Sequence, residues 1–152
     1  MTDPHTPARS ARAALAEVIR YFETLTPETV RDIGRIYAAR ARFRDPFSEV
    51  EGTEAIGRIF VHMFERLESP RFVVLEQLVE GDRAVLIWDM EFRFPGARSP
   101  DMQRIHGASH LRFDSDGRIT SHRDYWDAAE ELYEKLPILG ALMRWLKRRA
   151  AG

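Results

Sequence analysis

Four long strands are predicted in the second half of the chain. From residue 72 onward, apolar residues alternate with polar ones or form short continuous runs, in the segments 72–79, 84–94, 105–113 and 119–126. A periodicity of two predicts β-strands, because successive side chains of a strand point to opposite faces. Acidic residues and a glycine separate the first two segments and the last two, as is typical of hairpin turns. We therefore expect neighbouring strands to run antiparallel.

The first half of the chain predicts three helices. Apolar residues recur at helical spacing over residues 15–25 and indicate the first. Residues 26–28 supply an N-cap threonine, a first-turn proline and an early acid, so we expect a second helix that reaches Tyr37. The alternation over residues 41–46 and the proline that ends it suggest a short edge strand before a loop. A third helix is expected to begin at Gly52.

The ends of the chain are predicted to differ from its centre. Residues 1–10 are rich in proline, threonine and charge and are expected to form a flexible tail. Residues 11–134 are expected to form one domain, followed by an amphipathic helix over residues 135–152 with four cations near its end. Pro137 should interrupt the helical segment that begins near residue 128. We expect this segment to cover the domain or a second subunit, with contact to a membrane surface as an alternative.

The order of helices and strands indicates the fold class. Three helices, a meander of strands and a last helix predict an α+β fold with a cone-like curved antiparallel sheet, N-terminal helices packed on its concave side and a C-terminal helix. Such a sheet creates an apolar pocket. Its wall is expected to be formed by one face of the segment 84–94 and by the third helix, through Trp88, Met90, Phe92, Phe60 and Met63. These side chains are expected to pack as a core, to contact a small hydrophobic ligand, or both.

Composition excludes several classes of function. Lys and Arg together number 23 and Asp and Glu 24, a balance that argues against nucleic-acid binding driven by overall charge. The chain has no cysteine, which excludes a disulfide framework and a thiol nucleophile. Neither a signal peptide nor a membrane span is expected, so we predict a cytoplasmic location. The sequence shows no cofactor-binding motif, and we expect no cofactor.

The last predicted hairpin carries polar groups whose direction depends on its register. A two-residue turn at Gly117 places Ser109 opposite Asp124 and turns His122 to the same face. A three-residue loop shifts the pairing by one residue and favours Ile119 on the inner face instead. A β-bulge between the two halves would satisfy both patterns.

Two residues outside the hairpin are candidates for proton transfer. Asp45 lies at a boundary between strand and loop, where a carboxylate beside an apolar cavity can act as a general base. The alternative is an Asx-Pro turn that ends the strand. Tyr21 lies among the apolar residues of the first helix, where it is either a core tyrosine with its hydroxyl satisfied locally or, as the resemblance described next implies, a hydrogen-bond donor to a substrate.

The chain resembles a known superfamily over about residues 15–134. The pattern is a tyrosine in the first helix, a tyrosine in the second, and an acid followed by proline before a glycine-led helix, here at Tyr21, Tyr37, Asp45 and Pro46. The final hairpin is similar as well, with Trp126 at the place of a pocket tryptophan. This order resembles the nuclear-transport-factor-two-like superfamily, which includes ketosteroid isomerases, limonene-epoxide hydrolases and SnoaL-like polyketide cyclases.

The resemblance implies a cofactor-free isomerase or cyclase. Asp45 would take a proton next to a carbonyl, and Tyr21 would donate a hydrogen bond to the enolate, helped by Ser109 or Asp124. Ser109 stands at the position of the isomerases' oxyanion-hole aspartic acid, which weakens that donor. The expected ligand is a small hydrophobic molecule, with Tyr37, His122 and Trp126 among its contacts, and the resemblance implies a homodimer. The alternative from another class is a non-catalytic ligand carrier or dimeric interaction module.

The polar residues have three other interpretations. Asp124 also resembles the final-strand acid of limonene-epoxide hydrolases, but Trp88 and Met90 stand on the middle strand where that family has an arginine and an aspartate. Asp124 can equally form a structural ion pair. His106, His110 and His122 could in principle hold a metal, but neither carboxylate ligand spacing nor a second-shell pattern accompanies them, so no metal site is predicted.

Overall fold

A computed structural model describes residues 10–96, 101–131, 145 and 148–150. Its elements, in chain order, are α1 (Ala11–Glu23), a 3-10 helix (Thr29–Arg35), β1 (Tyr37–Arg44), β2 (Glu49–Glu51), α2 (Thr53–Arg66), β3 (Glu68–Glu80), β4 (Arg83–Arg93), β5 (Gln103–Phe113), β6 (Ile119–Tyr125) and α3 (Ala128–Glu131). This confirms the α+β class with helices before the four long strands.

The six strands form one curved, open sheet in the order β2-β1-β6-β5-β4-β3. The antiparallel meander from β3 to β6 confirms the prediction. The pairing of β1 with β6 is parallel, so the sheet is mixed rather than wholly antiparallel. Because strand direction across a long connection is not encoded in local periodicity, the sequence did not predict this pair.

The region after α1 differs from the predicted second α-helix. It is a 3-10 helix that ends at Arg35, and Tyr37 begins β1 instead of continuing the helix. The Ile36 amide donates to the Ile33 carbonyl, three residues back, and the backbone then becomes extended. β1 is also longer than the predicted edge strand and lies inside the sheet, since β2 covers its outer side.

Helices α1 and α2 pack on one face of the sheet. The Ser10 hydroxyl caps the start of α1 by accepting a hydrogen bond from the Ala13 amide at 3.2 Å. The helix then buries one apolar face, including Leu15 and Val18, against the sheet. Phe22, at its end, makes edge contacts with the rings of other core residues, Tyr37, Phe72 and His122.

The final hairpin contains the bulge that the two register alternatives require. Ser109 pairs with Asp124 and Leu111 with His122, whereas Phe113 pairs with Ile119, and the register shifts between Arg112 and Phe113. The bulge therefore confirms the combined reading. It turns Ile119 into the core and still directs His122 and Asp124 to the face that carries Ser109.

Asp127 caps α3 by accepting hydrogen bonds from the amides of Ala129 and Glu130. Most of the expected C-terminal amphipathic helix, and residues 1–9 of the expected tail, lie outside the described residues. No helix among the residues that the structure describes is long and apolar enough to span a membrane.

Candidate functional site

A small apolar cavity lies between the helices and the sheet. Its volume is about 30 Å³, enough for a water-sized group. Apolar side chains make up most of its wall, and the polar members all come from the central strands of the sheet. The full lining consists of Phe22, Phe60, Phe72, Val74, Leu86, Trp88, Ser109, Leu111, His122 and Asp124. Phe60, Trp88, Ser109, His122 and Asp124 thus lie together at the cavity.

The polar side chains of the cavity form one hydrogen-bonded chain with Tyr37. Trp88 Nε1 donates to Ser109 Oγ at 2.8 Å, and Ser109 Oγ donates to Asp124 Oδ1 at 2.5 Å. His122 Nε2 lies 2.7 Å from the same carboxylate oxygen, and the Tyr37 hydroxyl lies 2.5 Å from His122 Nδ1. Five residues on four neighbouring strands are linked in this way.

The middle of this hydrogen-bonded network is buried. Ser109 and His122 are each 5% exposed and Tyr37 is 1% exposed. The imidazole of His122 is surrounded by rings: it stacks on Tyr37 with an interplanar angle of 9° and makes edge contacts with Phe22 and Phe43. Such a network stabilises the fold only because its members satisfy one another, and among the described residues no buried side-chain N or O lacks a partner.

Asp124 also faces a second, larger space. An outer cleft of about 530 Å³ lies at the end of β6 and is lined by Asp124, Asp45, Trp126 and their neighbours. The side chain of Asp124 is 17% exposed. Asp124 is therefore the one described residue shared by the linings of the inner cavity and the outer cleft.

Asp45 lies at the outer cleft and not at the inner cavity. Its Oδ1 accepts hydrogen bonds from the amides of Phe47 and Ser48, at 2.8 and 2.6 Å. This is the Asx turn that was the structural alternative for the residue. Trp126 lines the same cleft and contacts the ring of Phe47.

Tyr21 faces away from the inner cavity. Its hydroxyl donates to the Thr29 carbonyl at 2.9 Å, in a separate polar cleft of about 320 Å³ beside α1. Burial, with a contribution from the charge of Asp32, raises the pKa of Tyr21 to about 12. The structure thus does not bring Tyr21, Asp45 and Asp124 around one space, and catalytic roles for Tyr21 and Asp45 stay predictions.

The other expected pocket residues are divided between core and cavity. Phe92 is fully buried, and Met90 and Met63 pack against the core without lining the cavity. Tyr37 lies behind His122 rather than at the cavity surface. Leu86 lines the cavity from the face of β4 that was expected to form the wall. Sequence reasoning missed the contributions of Phe22, Phe72, Val74 and Leu111.

The histidines do not form a metal site. His106 points to the other face of the sheet, where its Nδ1 lies 2.6 Å from Asp89. His110 is four residues further along β5 on that same face, and His122 is on the inner face. Among the residues that the structure describes, no group of three His, Cys, Asp or Glu side chains is placed to hold a metal ion.

A comparison with protein families agrees with the fold. The model of the SnoaL-like domain matches residues 18–122, more than half of the chain. The chain belongs to the SnoaL-like domain family. A comparison with curated proteins gives no significant match.

Solved structures with the same fold have low sequence identity to this SnoaL-like chain. TsrD from Streptomyces laurentii is 20% identical, with a TM-score of 0.69 over 86% of this chain and 97% of that one. A protein with a ketosteroid isomerase-like fold from Catenulispora acidiphila, in complex with trimethylamine, is 19% identical, with a TM-score of 0.66 over 78% and 88%. An LEH-like epoxide hydrolase from M. tuberculosis is 16% identical, with a TM-score of 0.63 over 80% and 85%. At these identities the likeness shows the fold alone.

The buried tyrosine predicts a loss of stability in alkali. Burial, with the nearby charge of Asp124, raises the pKa of Tyr37 well above the ordinary value of 10.0. The folded state thus keeps a proton that the unfolded state releases above pH 10. The stabilisation is complete below that pH and is lost as the pH rises further. We expect the free energy of unfolding, measured in urea between pH 9 and pH 11, to fall less steeply for Tyr37→Phe than for wild type.

The matched control for this titration is Tyr125→Phe, because Tyr125 is 50% exposed. It removes a phenol hydroxyl from an exposed side chain, so its slope is compared with those of wild type and Tyr37→Phe. Equal slopes for all three proteins would show that the Tyr37 hydroxyl makes no differential contribution in alkali.

Proposed function

We propose that this SnoaL-like protein binds a small apolar carbonyl compound and moves a proton next to the carbonyl group, with Asp124 as the base. The observation that supports this most is the position of Asp124, a carboxylate held by two donors at the boundary between an apolar cavity and an outer cleft. The same position was named from the sequence as a catalytic candidate.

The hydrogen bonds of Asp124 leave one oxygen available. Ser109 and His122 both bind Oδ1, and no described residue donates to Oδ2. Oδ2 is therefore the atom that would accept a proton from a bound molecule. The two donors fix the carboxylate plane, which reduces the reorganisation that a proton transfer requires.

The proposed reaction needs no cofactor. Asp124 Oδ2 removes a proton from the carbon next to the carbonyl, the C–H electron pair forms the enolate double bond, and the carbonyl oxygen takes the negative charge. Both cavity donors are engaged in the structure, Trp88 Nε1 with Ser109 and the Ser109 hydroxyl with Asp124 Oδ1. In the proposed reaction the Ser109 hydroxyl exchanges its bond to Oδ1 for one to that oxygen, while His122 still holds the carboxylate. Asp124 then returns the proton to another carbon of the enolate system, which shifts a double bond.

The size of the cavity restricts the ligand. Pockets for drug-sized molecules measure roughly 300–1,000 Å³, far more than the 30 Å³ found here. A ligand would thus place a small apolar end in the cavity and the rest of the molecule in the outer cleft, where Trp126 offers a ring surface. This favours small enones over larger, polycyclic molecules.

The test is hydrogen–deuterium exchange at the carbon next to the carbonyl of cyclohexenone, followed by proton NMR in heavy water. We expect wild type to accelerate the exchange and Asp124→Asn to lower the acceleration by about 100-fold or more, the usual contribution of a general base. Asp89→Asn is the matched control. Asp89 also pairs with a histidine, at 2.6 Å, but on the opposite face of the sheet.

The same assay separates Asp124 from the base that the resemblance implies. If Asp45→Asn abolishes exchange while Asp124→Asn does not, the base is Asp45 and our assignment to Asp124 is wrong. If both lower it, Asp45 acts from the outer cleft together with Asp124.

A non-catalytic role is the second candidate, and the small volume of the cavity favours it. A carrier would bind cyclohexenone or a phenol without any exchange in wild type. An interaction module would bind neither and would use the exposed apolar side chains of the strands, such as Leu78 and Tyr125, in the predicted homodimer.

A further inference from the structure

We infer that Tyr37 is a positioning residue: its hydroxyl selects the tautomer of His122 that donates from Nε2 to Asp124. The functional importance of this contact rests on the proposed role of Asp124 as the base. The contact itself can be tested without any substrate.

The hydroxyl of Tyr37 has one hydrogen-bond partner among the described residues. It lies 2.5 Å from His122 Nδ1, and Tyr37 is 1% exposed. If Nδ1 carried the imidazole proton, the phenol would accept that hydrogen bond and its own proton would have no acceptor in a buried place. Tyr37 therefore donates to Nδ1, and the proton of the neutral ring lies on Nε2.

The rest of the surroundings of His122 are apolar. α1 presents the ring of Phe22, β1 presents Phe43, and Leu111 of β5 is the cross-strand partner. The titratable groups that face the imidazole are Tyr37 and Asp124, at opposite ring nitrogens. Tyr21 on α1 acts only at longer range, through the charge that it would place near Tyr37.

These contacts define a direction for the whole chain of hydrogen bonds. Tyr37 donates to His122, His122 donates to Asp124, and Ser109 donates to the same oxygen, Oδ1. Each donor fixes the orientation of the group that accepts its hydrogen bond. The carboxylate orientation that leaves Oδ2 available is thus set from β1, by a residue that does not itself line the cavity.

The experiment measures the tautomer of His122 by long-range ¹H–¹⁵N NMR of the imidazoles at pH 8, where histidine side chains are ordinarily neutral. In wild type we expect the proton on Nε2 and none on Nδ1. The signal is assigned by its loss in His122→Gln. A proton on Nδ1 in wild type would overturn the inference directly, even if no variant folded.

Two variants then separate the effect of Tyr37 from that of Asp124. In Asp124→Asn the side-chain amide can face the ring with its oxygen or its NH₂ group, so it imposes no tautomer. We expect the Nε2 tautomer to persist there and to give way to a mixture in the double variant Tyr37→Phe/Asp124→Asn. A mixture already present in Asp124→Asn would show that the carboxylate, not the phenol, selects the tautomer.

The outcomes of the tautomer measurement and of the exchange assay are independent of each other. If the NMR result is as expected and no exchange occurs, the positioning contact is real and the proposed proton transfer is wrong. If exchange depends on Asp124 while His122 carries its proton on Nδ1, the base is correct and Tyr37 does not position it.

Discussion

Replacing Trp88 with alanine is expected to lower the free energy of unfolding by about 3–5 kcal/mol, the usual cost of removing a large buried aromatic side chain. Trp88 is buried on β4, and its ring contacts Phe72 at a centroid distance of 5.8 Å. It also covers Gly107 so closely that a Cβ atom there would come within 2.6 Å of the indole. Removing the indole would therefore leave a cavity beside these neighbours. Urea unfolding at pH 7 measures the change.

Trp126→Ala is the control for this experiment, because Trp126 is only partly buried and lies at the outer cleft. Its loss should be smaller, less than about 2 kcal/mol. Equal losses for the two tryptophans would mean that the indole of Trp88 is not a central part of the core. The indole also holds Ser109, so the Trp88 variant should loosen the donor to Asp124 as well.

Replacing His122 with leucine is expected to cost about 2–4 kcal/mol although the two side chains have similar volumes. The variant leaves the Tyr37 hydroxyl with no described acceptor and removes one of the two donors of Asp124. Each buried polar group left unpaired costs about 1–3 kcal/mol. The measurement is the free energy of unfolding in urea at pH 7.

The chain offers a matched control for this substitution on the opposite face of the sheet. His106 also contacts a carboxylate, that of Asp89, at 2.6 Å, but its side chain is 57% exposed. His106→Leu should change the free energy of unfolding by less than about 1 kcal/mol, as for exposed ion pairs in general. Similar losses in both variants would show that burial of the His122 network contributes little.

The final hairpin shows how far local sequence can predict a site. The alternation along β5 and the turn residues left two registers: one places Ser109 opposite Asp124, and the other favours Ile119 on the inner face. Only a bulge satisfies both, and the structure contains it between Arg112 and Phe113. The prediction that Ser109, His122 and Asp124 share one face was therefore correct, because strand periodicity and turn chemistry are local properties.

The region around Tyr37 shows where local reasoning fails. Helical spacing and an N-cap sequence predicted an α-helix through this residue, and the structure has a short 3-10 helix followed by β1. The parallel pairing of β1 with β6, and the hydrogen bond from Tyr37 to His122, favour the extended backbone there. Both partners are distant in sequence, so their effect is absent from any local pattern.

The sequence by itself determined the α+β class, the four antiparallel strands and the apolar face of β4, since each follows from the spacing of apolar residues and from turn chemistry. The tertiary structure decided which polar groups meet. It joined Tyr37 to His122 across 85 positions of the chain, placed Asp124 beside the cavity, and left Tyr21 and Asp45 in other clefts. The physical reason is that hydrogen bonds between distant strands depend on the packing of the whole sheet, which no short segment encodes.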